Sequence, residues 1–132
     1  MPVQWTIDAQ QQLVTVVAYD EVTCDQLVAM VDALHEADAH GYRKLYDGRR
    51  SRMRMTREEV LRLGVRMRAE HQRSALGPLA AILPERDAEL LAPLLGMVAI
   101  PNRPLRIFVA TRPALRWLLA LPSASPSIEP AG

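Results

Sequence analysis

The sequence predicts one α/β domain: an N-terminal β-hairpin, then alternating helices and strands, forming a mixed, mainly parallel five-stranded sheet with about four helices. Three observations support this. Two strand-like segments open the 132-residue chain with only a short polar connection between them. Capping boxes mark two helix starts, at Thr23 and Thr56. Beyond the first helix, short apolar runs alternate with helix-length segments.

Val3, Trp5 and Ile7 alternate with Gln4 and Thr6, as a half-buried strand does. After polar Asp8–Gln12, the β-branched run Leu13–Tyr19 supplies its antiparallel partner. Thr23 and Gln26 cap the first helix, and Val22 can staple against Leu27. Leu27, Met30, Val31 and Leu34 recur at helical spacing, and Gly41 reads as the stop. Tyr42–Tyr46 is a third strand ended by Asp47-Gly48, followed by an arginine-rich loop, Arg49–Met55. Thr56 and Glu59 open a second helix, with Val60, Leu61, Gly64 and Met67 on one side and Arg62, Arg66 and Arg73 on the other. Gly77-Pro78 ends it. Leu79–Leu83 is a fourth strand, and a helical stretch over about 87–99 contains Pro93, which predicts a kink or a late start. After the turn Pro101–Pro104, Leu105–Val109 is a fifth strand and Thr111 caps a last helix to Leu121. One domain therefore spans 1–121, and Pro/Ser-rich 122–132 reads as a disordered tail.

Aromatic residues make up 5% of the chain, so the core is expected to be aliphatic. Cys24 is the single cysteine, which excludes an intrachain disulfide framework and fits a reducing compartment. The N-terminus has no basic-then-apolar signal, and no apolar run approaches the roughly 18 residues of a membrane span. A soluble, cytoplasmic protein without membrane insertion is the expectation. The net charge of +1 conceals a segregation: residues 1–42 carry seven acidic residues and no Lys or Arg, whereas 43–73 carry eleven basic residues against four acidic ones.

The hairpin followed by alternating elements, with Trp5-Thr6-Ile7-Asp8, Gly41–Asp47, Pro104–Phe108 and Ala114–Leu118 in their places, resembles the STAS fold of anti-sigma-factor antagonists. The likeness is closer to the bacterial SpoIIAA-like proteins that link the STAS and CRAL-TRIO folds, and it covers about residues 3–121. In phosphorylated antagonists of this fold, an Asp-Ser pair followed by Ser/Thr-Gly begins the second helix. The matching stretch here is Met55-Thr56-Arg57-Glu58. Thr56 is thus the position of a possible phospho-acceptor, but Met55 replaces the Asp, no Gly follows, and the N-cap role already explains the threonine.

His35 and His40 stand five apart, a helical spacing that points two rings away from each other, and no metal set is assembled. At the first turn of helix one, Cys24 lacks an accompanying His or second Cys and reads as a small, partly buried residue. Glycine-rich phosphate loops and nucleophile elbows are absent, and no cofactor or catalytic group is indicated. The concentrated arginines, Arg49, Arg50, Arg52, Arg54 and Arg57, with Arg62 and Arg66 on the second helix, suggest a surface for an acidic protein partner. Near-neutral net charge and no aromatic in the loop argue against nucleic acid. Three functional expectations follow in order. First is a regulatory protein-protein interaction module, homodimeric, using these arginines. Second is a carrier or sensor of a small apolar or lipid-like ligand held between the third helix and the sheet. Third is a small enzyme with dispersed catalytic groups.

Overall fold

The computed structural model describes residues 2–92 and 102–124. The elements run β1 (Val3–Asp8), β2 (Leu13–Val22), α1 (Cys24–Glu36), β3 (Arg43–Met53), α2 (Arg57–Arg73), β4 (Leu79–Ile82), α3 (Glu85–Leu91), β5 (Leu105–Phe108) and α4 (Thr111–Leu119). The five strands lie side by side in sequence order. β1 is antiparallel to β2, and β2 to β5 are parallel neighbours.

That order decides where the helices go. Three successive crossovers advance in the same direction across the sheet, so a constant hand puts all three helices on one face. Val14, Val16 and Ala18 of β2, with Tyr46 of β3, accordingly share one buried cluster with Leu27, Met30, Val31 and Leu34 of α1. Leu63 and Met67 of α2 and Leu91 of α3 pack against the same cluster. On the opposite face, Leu45, Ala80 and Ile82 meet Ala114 and Leu118 of α4.

Both capping boxes form. Thr23 Oγ1 accepts from the Gln26 amide and Gln26 Oε1 from the Thr23 amide at 2.8 Å. Thr56 Oγ1 accepts from the Glu59 amide at 3.1 Å, and Glu59 Oε1 from the Thr56 amide at 2.9 Å. The end of α1 differs from expectation. Helix geometry stops at Glu36, and Asp38 rather than Gly41 takes the left-handed conformation, at φ 56°. Asp38 N–H donates to the His35 carbonyl and Ala39 N–H to the Leu34 carbonyl, the paired closure of a Schellman turn. Gly41 is needed for space: a Cβ there would lie 2.2 Å from the Ala124 carbonyl oxygen.

The expected loop Arg49–Met55 is largely strand. Val17 pairs with Asp47 and Tyr19 with Arg50, so Gly48 and Arg49 stand together opposite Ala18 as a β-bulge. Pairing then continues through Val22 and Met53. The bulge shifts the alternation by one residue, sending Ser51 inward and Arg50 and Arg52 into solvent. At the last helix, Ala110 is the N-cap and Thr111 the first helical residue, with no side-chain cap bond. Pro113 in that first turn carries no N–H, which lowers the demand for a cap. α3 begins at Glu85, earlier than expected, and Pro93 with the apolar stretch 93–101 lies outside the described residues. So does 125–132; Ala124 is tied to the domain by its N–H to the Gly41 carbonyl at 2.7 Å.

Candidate functional site

The helix-covered face of the sheet does not close completely. Between α1, α2 and strands β3–β5 lies a cavity of about 190 Å3 with almost entirely apolar walls. Leu27, Met30, Val31 and Leu34 line it from α1, and Leu63 and Met67 from α2. Tyr46, Ala81 and Ile107 form its sheet side, and Leu91 reaches it from α3. The cavity therefore sits chiefly beneath α1 and α2. Gly64 and Ala81, both small, leave room where larger side chains would fill it.

His40, Lys44 and Arg103 also line the cavity, and the hydroxyl of Tyr46 is buried without a hydrogen-bond partner among the described residues. Lys44 lies on β3 in phase with Tyr46, and a central parallel strand is covered on both faces, so its side chain is buried (7% exposed). Its Nζ donates to the His40 carbonyl and, at 3.0 Å, to the Tyr42 carbonyl. Arg103, in the turn before β5, is 6% exposed. It donates from Nε to the Gly77 carbonyl at 2.9 Å, while Nη2 is buried without a hydrogen-bond partner among the described residues. Neither cation forms an ion pair with a described carboxylate. The buried Asp87 is occupied otherwise, accepting from the Met53 amide at 3.2 Å. Burial, reinforced by Arg103, pushes the Lys44 ammonium down to about 7, and burial alone pushes Arg103 down to about 10.

The turn at Asp38 folds His40 back over the end of α1, and the rings of His35 and His40 stack at 4.2 Å between centroids. The expectation that these rings point apart is therefore corrected: it assumed one continuous helix, and the Schellman turn intervenes. His35 Nε2 lies 3.3 Å from Glu70 of α2, and His40 Nε2 lies 2.7 Å from Ser74 Oγ. Burial first, then His35 and Lys44, hold His40 below the usual histidine range. Among the described residues no cluster of His, Cys, Asp and Glu could hold a metal ion. Cys24 is buried, its thiol pushed up by burial and then by Glu59, the reverse of an activated nucleophile.

The arginines divide into two groups. Arg49 grips Asp47 in a two-pronged contact (3.0 and 2.8 Å), Arg54 pairs with Glu21 at 2.8 Å, and Arg66 bridges Asp32 of α1 and Glu70. Arg50, Arg52, Arg57 and Arg62 are exposed and make no ion pair with a described residue. Thr56, also exposed, is the N-cap of α2, and neighbouring Met55 lines the cavity. Sequence reasoning found the arginines and Thr56 but missed Lys44 and Arg103. The available signal for Lys44 was its phase with Tyr42 and Tyr46 in an inner strand; nothing local distinguishes Arg103.

No protein-family model matches the sequence, and no curated protein matches it significantly. The fold is SpoIIAA-like, as the resemblance implied. A solved structure that shares it is an uncharacterised protein of the DUF3478 family, with a SpoIIAA-like fold, from Shewanella loihica PV-4. The two are 16% identical and superpose with a TM-score of 0.60 over 88% of this chain and 93% of the other. No helix among the described residues is long and apolar enough to cross a membrane.

Proposed function

We propose that this domain is a carrier or sensor of a small apolar molecule, bound in the cavity between α1, α2 and the sheet. The cavity itself carries the reading: close-packed interiors leave few voids larger than a water molecule, and here about 190 Å3 remains open behind apolar walls. An apolar cavity of about 150 Å3 takes up benzene, so this one suits a ligand somewhat larger than a single ring. The test is a methyl-NMR titration of the full chain with toluene and with hexan-1-ol, alongside an Ala81→Leu variant that fills the cavity from β4. Saturable shifts at Met30, Met67 and Leu79, absent in the folded variant, are expected. Shifts scattered over surface methyls and unchanged by Ala81→Leu would sink the proposal.

A second reading, the cytoplasmic regulatory module that captures an acidic protein, is favoured by exposed Arg50, Arg52, Arg57 and Arg62, which make no ion pair with a described residue. Reversing Arg50 and Arg52 to Glu is expected to abolish such capture and to leave toluene uptake intact.

A further inference from the structure

We infer that the ligand is a small monocarboxylate, its headgroup held between Lys44 and Arg103 and its apolar part lying among Met30, Leu34 and Met67. This rests on the cavity reading above and specifies its chemistry. Two buried cations sit at the cavity wall, near enough for the charge of Arg103 to act on Lys44, and no described carboxylate neutralises either. A buried charge left without a counter-ion is costly, and an anionic ligand removes that cost. Donor geometry points to a carboxylate. Two of the three Nζ protons of Lys44 are committed to the carbonyls of His40 and Tyr42, leaving one. Arg103 offers the free Nη2 edge. One Lys44 proton, the Arg103 edge and the Tyr46 hydroxyl, itself buried without a hydrogen-bond partner among the described residues, fit the acceptor capacity of one carboxylate; a dianionic phosphate ester would keep further acceptors unpaired. His40 engages Ser74 Oγ through Nε2, and its Nδ1 has no hydrogen-bond partner among the described residues, so the ring adds at most one further donor. Scaled from a benzene-sized cavity, the space accepts about eight non-hydrogen atoms, the size of hexanoate.

Charge on Lys44 depends on pH, and the groups around it are identifiable. Arg103 faces it from the turn before β5 and Tyr46 stands beside it on β3. His40 lies in the preceding loop, with Asp38 near, His35 stacked on it from α1 and Glu70 behind His35 on α2. Of these, Arg103 stays charged across the neutral range, so the loss of cation above pH 7 is that of Lys44.

The experiment is calorimetric titration of the full chain with sodium hexanoate and with hexan-1-ol, at pH 6.5 and at pH 8.5. At pH 6.5 hexanoate is expected to bind about tenfold or more tightly than hexanol, the usual return on a hydrogen bond to a charged group. Hexanoate binding should weaken by up to about tenfold per pH unit above 7, with hexanol unchanged. Lys44→Met should remove that pH dependence and cost hexanoate about tenfold while sparing hexanol. Should the variant fail to fold, the wild-type comparison decides alone. Hexanol binding as tightly as hexanoate at both pH values would overturn the carboxylate assignment and leave the cavity reading standing. Tighter binding of hexyl phosphate than of hexanoate would also overturn it. If neither hexanoate nor hexanol binds, the cavity reading fails and takes this inference with it.

Discussion

Lys44 makes the domain pay for its own interior. An unfolded lysine titrates near 10.5 and the folded one at about 7, so between those values the unfolded chain holds a proton that the folded chain refuses. Stability in the absence of ligand should therefore rise with pH from 7 upward, by as much as about 1.4 kcal/mol per pH unit. Lys44→Met should flatten that slope and raise stability at pH 7. Urea midpoints at pH 7, 8 and 9 decide this, and parallel curves for the two proteins would refute it. His40 works at the acid end. Its folded pKa lies below the ordinary 6.5, so stability is present above that value and is lost as pH falls through it. Melting temperatures taken from pH 7.5 down to 5 should fall less steeply in His40→Gln than in the wild type.

The helix starts were readable because a capping box is a local device, complete within four residues. Thr56→Ala is expected to lower unfolding free energy by about 1 kcal/mol, read by urea titration, through loss of the bond to the Glu59 amide. Helix ends were less readable: the left-handed position fell to Asp38, a residue with many other uses, while the glycine three residues on serves a close approach instead. The outer half of β3 was hidden because its pairing with β2 is tertiary and Asp47-Gly48 has the composition of a turn. The cavity cations were hidden for the same kind of reason. Lys44, Gly77 and Arg103 converge from three separate segments, and Arg103 is anchored on the Gly77 carbonyl. A Cβ on Gly77 would sit 2.1 Å from the Tyr42 carbonyl oxygen, which is backbone and cannot swing aside. Gly77→Ala is therefore expected to cost about 3 kcal/mol or more, measured by thermal unfolding, and to loosen the cation pair with it.

The two faces of the sheet divide the labour of stability and binding. Leu118 is fully buried between α4 and the strands, on the side away from the cavity. Leu118→Ala should destabilise by about 2–5 kcal/mol in urea titration yet leave toluene uptake by the folded fraction unchanged. Alternation of strand and helix segments foretold the mainly parallel sheet, and strand order followed once consecutive elements were laid side by side. Which residues face the unfilled space did not follow, because a cavity is a residual of packing over the whole domain and has no sequence period. Charge segregation along the chain resolves partly inside it: Asp32 with Arg66 joins α1 to α2, and Glu21 with Arg54 joins the ends of β2 and β3. Such exposed pairs contribute little to stability and leave Arg50, Arg52, Arg57 and Arg62 facing solvent.

The bulge at Gly48 and Arg49 works as a change of phase. Before it, Lys44 and Tyr46 set the parity of inward-facing positions; after it, Ser51 and Met53 do, and the sequence could not keep both sets indoors in one unbroken strand. The extra residue is what lets one strand carry both sets. Straightening the pair with every residue kept would press Arg50 and Arg52 against oily walls, whereas deleting Arg49 would leave Lys44, Tyr46, Ser51 and Met53 on one face. An Arg49→Ser exchange keeps the frame and forfeits only the grip on Asp47.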